Sequence, residues 1–223
     1  MNHDGCARLA HPVSNGMELI VFQIIILIFS AVIHEVSHGF MAEKLGDPTA
    51  RDAGRLTLNP LKHLDPVGSV FLPLILSLVP GGIIFGWAKP VPYNPYNLKN
   101  PEKGAALIAA AGPLSNLAIA VVLSIVYRLV GLAGGETFAV LSYLISIIVV
   151  INIVLAVFNL IPIPPLDGAK VATFLIPDSA GVFKRFFDER NPYGWLILII
   201  LIFTGLPFLG PIVSVIAGFL LGV

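Results

Sequence analysis

Charged residues are scarce in this chain of 223 residues, and cysteine is almost absent. Charged residues make up 12% of the chain, against about 25% in soluble domains. Basic and acidic residues balance to a net charge of zero, so the chain has no basic footprint for binding nucleic acid. The single cysteine, Cys6, excludes an internal disulfide. The remainder is strongly apolar, with 57% hydrophobic residues and a mean hydropathy of +0.92, which is typical of an integral membrane protein.

The apolar residues divide the chain into a tail and one larger unit. Residues 1–17 are polar and are expected to be a disordered tail, whereas residues 18–223 are expected to form a single membrane-embedded domain. We expect an all-α polytopic membrane protein with about four to six transmembrane or re-entrant helices, because a span needs about 20 apolar residues. The uninterrupted candidate spans are 18–45, 104–130 and 138–160.

Two other apolar stretches are interrupted by proline and glycine. Residues 66–86 are expected to form a bent or re-entrant hairpin that does not cross the membrane, and residues 195–223, broken at 205–207, form one kinked span or two short helices. Residues 55–59 alternate between polar and apolar, and residues 87–96 are rich in proline. Both are expected to be short β-like segments near the active site, the second confined to an edge strand or loop.

The basic residues predict which side of the membrane each loop occupies. Residues 41–65, 87–103 and 177–192 together contain ten lysines and arginines, whereas the turn at 131–137 contains none. Since positive residues favour the cytoplasmic side, these three loops are expected to be cytoplasmic. Arg128, near the opposite end of its helix, is a mild signal to the contrary.

A metal-binding pattern lies at the end of the first apolar helix. In His34-Glu35-Val36-Ser37-His38 the two histidines lie about one helical turn apart on one face, a spacing that suits two ligands of a tetrahedral zinc ion. Glu35 can act as a general base beside them. A chance match is the alternative. The apolar context disfavours chance, because each ionisable group at the bilayer centre costs about 2.5–3.5 kcal/mol and is usually functional.

Asp167 is the preferred third ligand. It follows Pro162, Pro164 and Pro165, which forbid continued helix and fix an extended turn at the depth of the histidines. Such irregular backbone is tolerated in membranes where it lines a cavity. The alternative is that Asp167 caps a helix over residues 168–176. Three other candidate ligands rank lower: Glu43, His63 and Asp65.

These motifs together resemble one family. His34-Glu35-x-x-His38, followed by Asn159-x-x-Pro162 and Leu166-Asp167-Gly168, is similar to the site-2 protease family of intramembrane zinc metalloproteases. Gly112-Pro113-x-x-Asn116 also resembles a motif of that family. The similarity covers about residues 18–176, and the chain has no insert like the PDZ or CBS domains of larger members.

The resemblance implies a zinc ion held by His34, His38 and Asp167, one per chain, with Glu35 as the catalytic acid and base. Asn116 and Asn159 would be polar groups that aid the substrate or the transition state. The implied reaction is peptide-bond hydrolysis in membrane-spanning or membrane-associated proteins, with single-span proteins as the expected partners. The implied location is a prokaryotic cell membrane, with the site toward the cytoplasm.

Other classes of function stay open at this point. A membrane metal-binding transporter or a non-proteolytic scaffold could also use broken helices and polar groups within the membrane. A transporter has no need for Glu35 between two ligands, and the chain has no repeated half. A zinc hydrolase that acts on lipid is a further possibility. The oligomeric state cannot be derived from the sequence.

Overall fold

The computed structural model describes residues 16–71, 88–187, 191, 193–204 and 208–222. These residues form eight α-helices, which are numbered in chain order: α1 (Gly16–Lys44), α2 (Thr49–Asp52), α3 (Pro101–Ala133), α4 (Glu136–Asn159), α5 (Asp167–Leu175), α6 (Val182–Phe186), α7 (Tyr193–Phe203) and α8 (Leu209–Leu221). Short helical turns lie at Pro60–Lys62, Pro66–Phe71, Pro95–Asn97 and Asp178–Ala180. The all-α architecture predicted from the sequence is confirmed.

Helices α1, α3 and α4 are the membrane-spanning candidates. By length and composition, they are the three helices of the described residues that are long and apolar enough to cross a bilayer. Much of the first half of α1 is exposed although it is apolar, including Ile20, Ile24 and Phe29. An apolar face of this size suits contact with lipid rather than water. The protein is therefore a membrane protein.

Helix α3 is at the centre of the bundle. It packs against α1, α4 and α5, and α8 packs against both α3 and α4. Small side chains on α3, such as the buried Ala109 and Ala120, allow the close helix approach that membrane proteins favour. The apolar core of the bundle joins Ala120 to Val149 and Ile153 of α4 and to Val213 of α8. The site described below lies where α1, α3 and α5 meet.

Arg128 has a structural task that accounts for its position. Its Nε donates to the carbonyl of Leu220 at 2.9 Å, and its Nη2 donates to that of Phe219 at 2.8 Å. These carbonyls belong to the last turn of α8, after which Gly222 adopts a left-handed conformation (φ 78°). A cation at a helix C-terminus satisfies carbonyls that lack helical partners. Arg128 is thus a cap for α8, so its place opposite the basic loops needs no other explanation.

The predicted β-like segments are not strands in the part of the chain that the structure describes. Residues 55–59 and 88–94 are irregular, and a side chain joins them: Arg55 Nη2 donates to the Lys89 carbonyl at 2.6 Å. Pro90 and Pro92 cannot donate to a ladder, which explains the difference.

Several predictions fall wholly or partly on residues outside the described ones. These are the tail over residues 1–15, most of the hairpin, at residues 72–87, and the break at residues 205–207. The segments before and after the predicted hairpin are joined by a hydrogen bond from Lys89 N to the His63 carbonyl at 2.8 Å.

Asp47 joins the end of α1 to the loop that follows residue 88. The buried carboxylate accepts hydrogen bonds from Thr49 Oγ1 at 2.5 Å, from Asn94 N at 2.6 Å and from Asn97 Nδ2 at 2.7 Å. Burial by itself would raise the pKa of Asp47, but the bonds from Thr49, Asn94 and Asn97 outweigh it and hold that pKa below its ordinary value of 3.8. The ionised form therefore stabilises the folded state.

Replacing Asp47 with asparagine is expected to lower the free energy of unfolding by about 1.5–3 kcal/mol at neutral pH, because charged hydrogen bonds are lost. Since the folded pKa is the lower one, this stabilisation is present above pH 3.8 and is lost as the pH falls through the folded value. Thermal unfolding in detergent at a series of pH values measures both effects. Asp52→Asn is the control, because that side chain is 68% exposed. Equal acid sensitivity in wild type and Asp47→Asn would contradict the assignment.

Candidate metal centre

The two histidines of the helical motif lie side by side on α1. His34 and His38 are buried, and their ring centroids are 4.6 Å apart. Potential ligand atoms of His34, Glu35 and His38 all lie within 4.8 Å of one another. The spacing of four residues on a helix therefore brings together the groups that the sequence predicted.

Both imidazole rings are held through Nδ1 by α3. His34 Nδ1 is 2.7 Å from Asn116 Oδ1, and His38 Nδ1 is 2.6 Å from the Ile108 carbonyl oxygen. Both partners are oxygen acceptors, so each Nδ1 carries the hydrogen and donates it. A neutral imidazole with its hydrogen on Nδ1 has its lone pair on Nε2, which is the state of a histidine that binds a metal.

Asp167 completes a three-sided group. Its Oδ2 is 3.0 Å from His34 Nε2 and 3.2 Å from His38 Nε2. Bonds of about 2.0–2.1 Å in a tetrahedral zinc site place neighbouring ligand atoms roughly 3.3 Å apart. The N-cap of α5 is Leu166 and Asp167 is the first helical residue, so Asp167 does not cap the helix and its carboxylate contacts the histidines instead. Three potential ligand atoms therefore converge at this point. Two imidazole nitrogens and a carboxylate oxygen are a set of donors that suits a metal cation.

Two glycines let the backbone approach this group. A Cβ atom on Gly112 would lie 2.5 Å from His38 Nε2 and 2.6 Å from His34 Nε2, so glycine keeps open the space beside both nitrogens. A Cβ atom on Gly168 would lie 2.2 Å from the Leu160 carbonyl oxygen. Gly168 therefore allows the proline-rich turn to pack directly against the start of α5, which positions Asp167.

Glu35 has a partner on the loop after residue 88. Its Oε2 accepts a hydrogen bond from Val91 N at 2.9 Å. This bond fixes the carboxylate at the edge of the histidine pair, and Val91 itself is held between two prolines. The arrangement leaves Glu35 beside the converging donors, where it can exchange a proton with a molecule bound there.

Asn116 lies behind His34 in a buried polar network. Its Nδ2 donates to Asn152 Oδ1 at 2.9 Å and to the Ser30 carbonyl at 3.3 Å. Asn152 Nδ2 in turn donates to Ser30 Oγ at 3.1 Å. Both asparagines are completely buried, so Asn116 orients His34 and joins α1, α3 and α4.

Asn159 is placed differently. It is the last residue of α4, and its Nδ2 donates to the Leu155 carbonyl at 2.9 Å. No hydrogen bond described for Asn159 reaches the histidines or Asp167, so its role stays a prediction. The lower-ranked ligand candidates are engaged elsewhere: Glu43 pairs with Arg51, His63 Nε2 donates to Thr57 O, and Asp65 accepts from Val67 N and Gly68 N.

Sequence reasoning missed four contributors to the site. Ser30 and Asn152 could have been found, because Ser30 lies one turn before His34 and Asn152 is an isolated amide in an apolar span. The Ile108 carbonyl and the Val91 N–H could not, because every residue except proline carries both backbone groups.

Comparison with known sequences shows the family of the chain. The chain is 39% identical over 194 residues to YwhC of Bacillus subtilis, whose name describes a zinc metalloprotease, and the match covers 85% of this chain and 84% of YwhC. The chain belongs to the site-2 protease family, peptidase family M50. The model named Peptidase family M50 matches residues 128–202 of the protease, which include Asp167.

Two further relatives of the protease carry similar names. Rip2 of Mycolicibacterium smegmatis is 31% identical over 183 residues, or 79% of this chain and 64% of Rip2. The zinc metalloprotease MJ0392 of Methanocaldococcus jannaschii is 28% identical over 181 residues, or 80% of this chain and 41% of that protein. No solved structure matches the chain. The protein is thus a zinc metalloprotease, and its converging imidazoles and carboxylate fit that metal.

Replacing Asn116 with leucine is expected to weaken zinc binding about 10–100-fold, the usual cost of removing an outer partner of a ligand histidine. The variant leaves His34 Nδ1 without its acceptor while keeping a side chain of similar size. Competition with a fluorescent zinc chelator measures the affinity. Ser124→Ala is the matched control, because Ser124 is also buried on α3 but its one described side-chain hydrogen bond is to Val121 O of its own helix. Equal zinc affinity in the two variants would contradict the role of Asn116.

Proposed function

We propose that this protein is a multi-pass intramembrane protease that cleaves single-span membrane proteins. In this proposal His34, His38 and Asp167 hold the zinc ion, and Glu35 is the general base. The observation that carries it is the convergence of Asp167 Oδ2 on both Nε2 atoms, at the end of a helix able to span a membrane. Residues 18–223 would form the single membrane-embedded domain.

The chain's own groups have separable tasks in this reaction. Zinc, when bound, supplies a Lewis acid for the scissile carbonyl and lowers the pKa of water to about 7. The Glu35 carboxylate accepts a proton from the attacking water and delivers it to the leaving amine. The Val91 N–H keeps that carboxylate in place. The Asn159 amide is proposed to donate to the developing oxyanion, an effect worth about 2.7–4 kcal/mol in a soluble protease.

A helical substrate must unwind before it can be cleaved, because its amide groups are bonded within its own helix. The loop over residues 88–94 is suited to hold an unwound segment, since it passes Glu35 in an irregular conformation. Pro90 and Pro92 have carbonyls but no N–H, so they can only accept hydrogen bonds. We infer that the β-like character expected for this loop arises when a substrate strand is added to it.

The site is proposed to face the cytoplasm. Asp47 bonds to Asn94, Arg55 bonds to Lys89, and Lys184 pairs with Glu102, so the three basic loops lie together. They lie at the end of the bundle where α1 ends and α3 begins, close to the histidines. Positive residues favour the cytoplasmic side of a membrane.

Co-expression with tagged single-span membrane proteins tests the proposal. Wild type is compared with Asp167→Ala, and product termini are mapped by mass spectrometry. The expected result is a cut within or beside the substrate's apolar segment by wild type only. Cuts confined to soluble regions, or identical products from Asp167→Ala, would overturn it.

A further inference from the structure

A basic cleft lies beside the loop that holds Glu35. It encloses about 420 Å³ and its lining includes Arg55, Lys62 and Lys89, together with apolar groups of Leu61, Leu64 and Pro92. None of the described residues that line it is acidic. Arg51 pairs with Glu43 and Asp52 outside the cleft, so this cation is already neutralised.

Arg55 gives the cleft a fixed charge. The residue is only 7% exposed, and its Nη2 donates to the carbonyls of Lys89 at 2.6 Å and Pro90 at 3.4 Å. Its Nε is buried without a hydrogen-bond partner in the described residues. A buried guanidinium with no carboxylate beside it is costly unless a counter-charge is supplied. An anion in the cleft would supply it.

The cleft and the metal centre share one wall. Lys89, Pro90 and Pro92 line the cleft, and Val91 between them donates its N–H to Glu35. A polypeptide in the cleft would therefore lie one residue away from the group that positions the general base. A lipid headgroup could neutralise the same cations but would gain nothing from this continuity.

We propose that the cleft binds an acidic segment of the polypeptide substrate, next to the apolar segment that is cleaved. The inference rests on the proposed function and adds substrate selection to it. Lys62 and Lys89 would attract carboxylates of the substrate, Arg55 would hold the wall in place, and Leu61 and Leu64 would contact intervening apolar side chains. Such charge complementarity chiefly excludes partners with basic flanks and speeds encounter with acidic ones.

Binding can be tested without cleavage by using Glu35→Gln protein in detergent. Fluorescence anisotropy with labelled oligoglutamate and oligoglutamine peptides gives the two dissociation constants. Adding Lys62→Gln and Lys89→Gln together is expected to weaken oligoglutamate binding roughly threefold to tenfold, the range for two exposed ion pairs. Lys99→Gln is the matched control, since Lys99 is exposed in the same basic loop but does not line the cleft. Added salt should remove the preference for oligoglutamate.

A variant with the charges of the two lysines reversed provides a second test of binding. Lys62→Glu with Lys89→Glu should bind oligolysine in preference to oligoglutamate. Equal oligoglutamate affinity in Lys62→Gln/Lys89→Gln and Lys99→Gln would overturn the proposal. The proposal would also be overturned if Lys62→Gln/Lys89→Gln lost affinity for phosphatidylglycerol vesicles, relative to phosphatidylcholine vesicles, but kept its affinity for oligoglutamate. The cleft would then be a lipid site. Intact oligoglutamate binding with no cleavage by wild type would instead overturn the proposed function and leave the anion site standing.

Discussion

Replacing Glu35 with glutamine is expected to slow peptide cleavage by about 10²–10⁴-fold, the usual contribution of a general acid and base, while leaving zinc bound. Glutamine has nearly the size of glutamate and can still accept the Val91 N–H through its amide oxygen, but it cannot take a proton from water. Zinc should be retained, because the atoms that converge belong to His34, His38 and Asp167.

The measurement pairs product formation from a single-span substrate with zinc content by mass spectrometry. Glu43→Gln is the control, since Glu43 is on the same helix but pairs with Arg51. Cleavage at the wild-type rate would contradict the role of Glu35 as the general base. Loss of zinc together with cleavage would instead make Glu35 a ligand.

Replacing Gly112 with alanine is expected to weaken zinc binding by more than about 100-fold, beyond the usual cost of an outer-partner mutation. The added Cβ would lie 2.5 Å from His38 Nε2 and 2.6 Å from His34 Nε2, closer than any non-bonded contact allows. The rings cannot move aside freely, because Asn116 and the Ile108 carbonyl hold each through Nδ1. Peptide cleavage should be lost with the metal.

Gly131→Ala is the matched control for this variant. Gly131 is on the same helix, and nothing lies within 4 Å of its added Cβ, so that change should stabilise α3 by about 0.5–1 kcal/mol. Zinc titration and thermal unfolding of both variants separate a blocked site from a damaged helix. Normal zinc affinity in Gly112→Ala would show that the ion lies elsewhere.

The spans were predictable because their signals are local. Apolar runs of sufficient length end at Gly46 and resume after Pro101, and the helices α1, α3 and α4 follow them closely. The irregular conformation of residues 55–59 was not predictable in the same way. Its alternation suggested a strand, but Arg55 instead bonds through its side chain to the carbonyls of Lys89 and Pro90.

The site was predictable in part for a similar reason. The spacing of His34 and His38 fixes their common face within one helix, whereas Asp167 is far along the chain and was inferred from its rigid turn and from resemblance. The contact of Gly112 with both rings was not predictable, because it depends on how closely α3 approaches α1. The Val91 N–H has no sequence signature at all.

X-ray absorption at the zinc edge of wild type and Asp167→Ala tests most directly whether two imidazoles and this carboxylate share one ion. In wild type, one zinc per chain should show two histidine nitrogens and carboxylate oxygen at about 2.0–2.2 Å. Asp167→Ala should lose the carboxylate contribution and most of the zinc. An unchanged spectrum in Asp167→Ala, or wild-type protein without stoichiometric zinc, would contradict the assignment.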